Sequence, residues 1–207
     1  MIVGLVGFIG SGKNTVAQCF KEKGFRFDSF ASPLKDSASS VFGWPREMLE
    51  GDTDQSRAFR ETPDQWWSNK LGIKNFTPRF ALQYLGTEIF RDSFNDNIWL
   101  SSLENRYMGN NRQKTIVSDC RFKNEIGLIR TMGGTVIRVM RGGKPHWYDL
   151  AVQASEGDTF SMHTLAEMGI HKSEWDWVSS RFDYTIYNDK DIKHLHNEVD
   201  SIIEKII

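Results

Sequence analysis

A chain of 207 residues, 39% hydrophobic and 26% charged, is long enough to bury a core without covalent staples and short enough for one domain or at most two small ones. Its 26 Lys and Arg against 27 Asp and Glu leave a formal net charge of −1, which excludes a broadly basic surface for nucleic acid or an anionic membrane, although a local basic cleft fits a neutral total. Two cysteines, Cys19 and Cys120, are read as reduced buried thiols of a cytoplasmic protein. The apolar start, Met1 to Ile9, lacks a basic n-region and is too short for a signal peptide or a membrane span.

Ile2 to Val6 is a β-rich apolar run, the pattern of a strand buried on both faces. A helix follows from Asn14, with Val16, Cys19 and Phe20 on one face and Lys23-Gly24 as its cationic last turn and stop. Phe25 to Phe30 predicts a second strand, after which Ser32 caps a helix with Pro33 at its first position. Residues 44–111 carry Trp44, Trp66, Trp67 and Trp99 but no strand pattern, and read as a mostly helical insertion, with Trp66-Trp67 in its core. Thr115 to Val117 is the next strand; a helix from about Phe122 to Met132 ends at Gly133-Gly134, and Thr135 to Met140 is a further strand. A polar stretch from Arg141 to about Arg181 precedes a last strand, Tyr184 to Tyr187. The C-terminal helix carries Ile192, Leu195, Val199, Ile202, Ile203 and Ile206 on one face, which docks on the core.

Strands alternating with helices in this way predict an α/β, three-layer architecture: a five-stranded, mostly parallel sheet covered on both faces. Right-handed crossovers then gather the loops from the strand C-termini along one rim, where ligands bind. One domain over residues 1–207 is expected, with the insertion at about 36–113 and a lid at about 142–180.

Gly7-Phe8-Ile9-Gly10-Ser11-Gly12-Lys13 has the spacing of a phosphate-binding P-loop and sits between a predicted strand and helix. Gly10, Ser11, Gly12, Lys13, Asn14 and Thr15 therefore form the expected ATP-phosphate site, with backbone N–H groups and the helix dipole turned to the anion. The position after Lys13, where Ser or Thr commonly binds Mg2+, is Asn14, and a threonine comes one residue later at Thr15. No metal ligand set can be named from the sequence. Mg2+ is expected to be held through waters, the nucleotide phosphates and Asp119, placed at a strand end like a Walker B carboxylate. The competing role for Asp119 is a helix N-cap.

Lys13-Asn14-Thr15 is similar to the loop of nucleoside monophosphate kinases. The segments 30–36 (FASPLKD), 79–88 (RFALQYLGTE), 118–121 (SDCR), 133–141 (GGTVIRVMR) and 171–174 (HKSE) further resemble, in the same order, those of the deoxynucleoside monophosphate kinases of tailed bacteriophages. The resemblance runs from the P-loop to about Asn188 and is poorest at about 44–75 and 143–170. It implies the P-loop kinase fold and transfer of the γ-phosphoryl of ATP, with Mg2+, to a deoxynucleoside 5′-monophosphate. Another small-molecule kinase, of the dephospho-coenzyme A or phosphomevalonate type, and a P-loop NTPase acting with nucleic acid stay open as alternatives.

Phosphoryl transfer needs positioning and positive charge, so cations near strand ends are the candidates. Lys13, Arg121, Arg141 and Asp119 form the catalytic set, Arg141 within a closing lid. Lys35 and Arg79 are expected at the acceptor α-phosphate, with Arg91 nearby; Gln83 reads a base edge, and Gly86-Thr87 offer donors. Arg79, Gln83 and Thr87 share one helical face at i, i+4, i+8 spacing. By the resemblance, Trp99 lies near the acceptor base. Asn188 falls in the adenine loop after the last strand; His171, Ser173 and Glu174 are expected to close over the donor, or to cap the next helix with Ser173 as its N-cap. His163 and His171 have no third ligand at zinc spacing. Expected partners are thus the two nucleotides, without nucleic acid or membrane, in the cytoplasm (of a host, if phage-encoded), with a homodimer left open.

Overall fold

The computed structural model describes residues 1–206, which divide into two compact units: residues 1–29 together with those from 104 onward, and residues 30–103. No helix among the described residues is long and apolar enough to cross a membrane.

The first unit is built on a five-stranded sheet of β1 (Ile2–Val6), β2 (Arg26–Asp28), β3 (Thr115–Val117), β4 (Thr135–Met140) and β5 (Tyr184–Tyr187). The strands lie in the order β2-β3-β1-β4-β5, every pairing parallel, with Gly4 opposite Val117 and Val136, and Val139 opposite Ile186. The central strand β1 is buried throughout, as its unbroken apolar run requires. Alternation along the strands sends Val3, Leu5, Ile116, Ile137, Val139 and Ile186 to one face. There they meet Val16 and Phe20 of helix α1 (Lys13–Glu22) and the Leu195, Val199, Ile202 and Ile203 stripe of the C-terminal helix, Ile192–Ile206. On the other face Gly4 points at Cys120 and Ile129. Helices on both sides of this sheet make the three-layer P-loop kinase fold.

Helix α1 stops where its sequence dictates. The N–H of Gly24 bonds Lys21 O at 3.0 Å and that of Phe25 bonds Phe20 O at 3.1 Å, the paired closure of a helix ending in glycine. β2 is shorter than the six residues predicted, because Asp28 ends the ladder: its buried carboxylate accepts from the N–H of Ser29 at 2.8 Å and from Arg106 at 2.9 Å. Phe25 and Phe30 are buried outside the strand. The polar stretch after β4 contains two helices the sequence reading missed, Tyr148–Ser155 and Thr159–Glu167, too short and too weakly amphipathic to show a stripe.

The second unit is helical in chain order: α2 (Ser32–Phe42), a 3-10 turn (Arg46–Leu49), α3 (Asp54–Glu61), α4 (Gln65–Leu71), α5 (Pro78–Tyr84), a π-helix (Leu85–Phe94) and the start of α6 (Ile98–Gly109). Ser32 is the first helical residue, not the cap; Ala31 occupies the cap position without a side-chain bond. Its core is aromatic: Phe42 stacks on Trp44 at 4.4 Å and meets Trp67 edge-on at 5.1 Å, while the Trp44 indole N–H bonds Asp64 at 2.8 Å. Trp66, expected in that core, is exposed beside Trp67.

Candidate active site

The P-loop joins β1 to α1. Gly10 and Gly12 take φ of +79° and +93°, the left-handed conformations that let the chain wrap closely. Lys13 folds over its own loop, its Nζ 2.6 Å from Gly7 O and 2.9 Å from Phe8 O. Partial burial, and then the charge of Arg121, lower its pKa to about 8, against the pull of Glu174 and Asp119. The Ser11 hydroxyl is buried with no hydrogen-bond partner among the described residues, while Asn14 and Thr15 are exposed at the start of the helix.

Beyond β3, Arg121 reaches Glu174 at 2.8 Å, and its charge is the second cause, after burial, of the lowered Lys13 pKa. Asp119 is half-buried and does not cap helix α7 (Lys123–Thr131). That task belongs to Glu125, whose carboxylate takes the N–H groups of Arg121 at 2.6 Å and Phe122 at 3.0 Å. Glu174 ends a 3-10 turn (Lys172–Glu174) that His171, not Ser173, caps: the ring Nδ1 accepts from Ser173 N at 3.2 Å. Arg141 is exposed directly after β4, and the next residue, Gly142, donates its N–H to Asp189 at 2.6 Å. Asn188 sends its amide to Ser11 O at 3.0 Å.

In the helical unit the proposed acceptor residues are largely engaged. Lys35 pairs with Glu50 at 2.6 Å and Arg79 with Glu61 at 2.8 Å. Burial disfavours the Glu50 carboxylate, but Lys35 and Arg46 outweigh it and hold its pKa below the usual value. Arg91 is buried and donates to Asp96 O at 3.4 Å. Trp99 is also buried: its ring packs on Phe90 at 5.0 Å and its N–H bonds Gly86 O at 2.8 Å, so little of the indole is open to a base. Gly86 uses its carbonyl there, and a Cβ on it would lie 2.7 Å from Leu34 Cδ2, so an added methyl needs the buried Leu34 side chain to shift. The single face expected for Arg79, Gln83 and Thr87 does not run through. Arg79 and Gln83 lie on α5, but Thr87 lies in the π-helix, whose wider turn breaks the four-residue step.

Two contributors, Phe8 and Asp189, went unrecognised in the sequence, and a third, Glu174, was singled out there without its partner. Phe8, an aromatic inside the P-loop, packs against Trp147 at 5.4 Å and Trp177 at 4.9 Å, tying the loop to the segment after β4. Glu174 supplies the counter-charge to Arg121, and Asp189 fixes the turn after Arg141. An apolar ring inside a glycine-rich loop was the signal for the first; the two carboxylates act across gaps of 53 and 47 residues and leave no local pattern.

Residues 47–199 match the model of a family described as deoxynucleotide monophosphate kinase. A protein of Acanthamoeba polyphaga mimivirus, named as a deoxynucleotide monophosphate kinase, is 30% identical over 99% of this chain and 96% of its own length. The deoxynucleoside-5′-monophosphate kinase of Escherichia phage T5 is 26% identical over 63% of this chain and 72% of its own. A solved dephospho-CoA kinase from Campylobacter jejuni aligns over 99% of this chain and 96% of that one, with a TM-score of 0.48 and 14% identity. The match over most of its length and the mimiviral relative place this chain in the deoxynucleotide monophosphate kinase family.

Proposed function

We propose that this kinase transfers the γ-phosphoryl of ATP to a deoxynucleoside 5′-monophosphate, giving ADP and the deoxynucleoside diphosphate. An α-phosphate oxygen of the acceptor bonds the γ-phosphorus as the bridging β–γ P–O bond breaks, and the electron pair leaves with ADP. No strong base is needed, because the acceptor phosphate is already ionised at neutral pH. The observation that carries this reading is Lys13, a half-buried cation at the mouth of a glycine loop and helix N-terminus, held beside Arg121. Lys13 and the loop N–H groups would bind the β- and γ-phosphates, and Arg121 would stabilise charge on the transferred group once it leaves Glu174.

The chain also fits Mg2+ held mainly by nucleotide and water. Among the described residues no cluster of three metal-ligating side chains exists, while the half-buried Asp119 lies close enough to Lys13 to affect its ionisation. The ion would neutralise phosphate charge, with Asp119 as its protein-side contact. Residues 30–103 would carry the acceptor site through Arg79, Lys35 and Gln83, and residues 142–180 the lid with Arg141 at its root. Relatives from a virus and a bacteriophage support a place in the host cytoplasm.

A coupled ADP-release assay over the four deoxynucleoside monophosphates, their ribo counterparts and dephospho-coenzyme A tests the assignment. Mg2+-dependent turnover with at least one deoxynucleotide is expected; turnover with dephospho-coenzyme A alone, or hydrolysis stimulated only by DNA, would sink it.

A further inference from the structure

We propose that Asn188 is a positioning residue that fixes the polarity of one peptide in the phosphate loop, and so acts on the phosphates rather than the base of the donor. The inference rests on the reading of residues 7–15 as the triphosphate site. A trans peptide points its C=O and N–H in opposite directions, so the plane between Ser11 and Gly12 can offer an anion either a donor or a repelling carbonyl. Turning Ser11 O away from the cradle turns the Gly12 N–H toward it, and the outward carbonyl then needs a donor behind the loop. Asn188 is that donor, its Nδ2 3.0 Å from Ser11 O.

Two further observations fix this placement. Gly12 holds φ of +93°, and a Cβ there would lie 2.2 Å from the same Nδ2, so the amide fills the space that the missing side chain leaves. The amide also stands on the sheet rather than on a loose turn. Asn188 N bonds Met140 O at 2.7 Å, and Asp189 holds Gly142 N at 2.6 Å, so the donor is registered to the ends of both β4 and β5.

The test uses the full chain with Asn188→Ala and Asn188→Ser, reading the dissociation constants of ATP and of inorganic tripolyphosphate, which has no base to recognise. Both ligands should weaken by the same factor, about fivefold to tenfold for a lost hydrogen bond. The KM for ATP should rise in step while kcat at saturation and the KM for the deoxynucleotide hold within about twofold. A loss confined to ATP would overturn the inference in favour of a base contact, and so would no loss in either ligand. Gly12→Ala supplies a measurement independent of the fold of one variant. Its penalty on tripolyphosphate binding should be smaller in the Asn188→Ala background, where the clashing amide is gone; strictly additive effects would also overturn the proposal. If the unmodified protein binds neither ATP nor tripolyphosphate, the donor-site reading itself fails and carries this inference down with it.

Discussion

The two units deal with positive charge in opposite ways. On the sheet, Lys13 is held by backbone carbonyls in a partly desolvated place, and its neighbour Arg121 adds to the strain on its charge. In the helical unit Lys35 and Arg79 are already neutralised by Glu50 and Glu61. A phosphate arriving at the sheet site relieves an unfavourable situation, whereas one arriving at Lys35 or Arg79 must displace a carboxylate. On the proposed assignment, donor binding would be set by loop geometry, and acceptor binding by competition between anions.

The largest effect that could break this contrast is removal of Lys13. Lys13→Ala should lower kcat by about a thousandfold, the scale of a lost preorganised charge at a transferring group. Its melting temperature should stay level or rise, because a partly desolvated cation is removed. A fall in stability together with near-normal turnover would show that the lysine is structural.

Gly86→Ala addresses the helical unit alone, since the new methyl would meet Leu34. A destabilisation of about 1–3 kcal/mol is expected from overpacking, read by denaturant melts, with tripolyphosphate affinity unchanged. A parallel loss of tripolyphosphate affinity would mean that the donor site does not stand on the sheet unit by itself.

The pH dependence follows from the lowered Lys13 value. In the empty protein the ammonium is lost as pH rises through about 8. Bound phosphate restores it, so nucleotide binding takes up a proton in that range, and affinity should fall about tenfold per pH unit above it. Calorimetry in buffers of differing ionisation enthalpy reads that uptake directly; its absence would place Lys13 away from the phosphates. In the empty protein the same shift makes stability rise with pH between about 8 and the ordinary lysine value of 10.5, where the unfolded chain binds more protons.

Glu50→Gln should have the smallest effect, a loss under about 1 kcal/mol because the pair is partly solvated. The depressed Glu50 pKa means that this contribution is present above the ordinary value near 4.5 and is lost as pH falls through the lower folded value. Releasing Lys35 should lower the KM for the deoxynucleotide by about two- to threefold, the scale of a weak surface pair. A raised KM would show that Glu50 orients the lysine instead of competing for it.

How much of this was legible from residue order depended on the range of the interaction. β1, β4, β5 and the glycine stops of α1 and α7 follow from local patterns of apolar runs and left-handed glycines, and they came out nearly residue for residue. β2 was overdrawn because its end is set by Arg106, 78 residues away. The P-loop was readable as a motif, but the engagement of Arg121 by Glu174 and the burial of Trp99 under Gly86 O were not, since neither leaves a trace in spacing. The helices after β4 escaped because short elements with little polarity contrast carry almost no period.

The π-helix from Leu85 to Phe94 makes chain length itself a variable in the helical unit. Each residue of an α-helix advances the chain by about 100° of rotation, so taking one residue out of this segment lets the wide turns close to the narrower pitch. Everything downstream then swings around the axis, carrying Arg91 off its burial site and pulling the Gly86 carbonyl away from Trp99. Relatives that differ by a single insertion or deletion within these ten residues would therefore present a reoriented helix face even where every other side chain is the same.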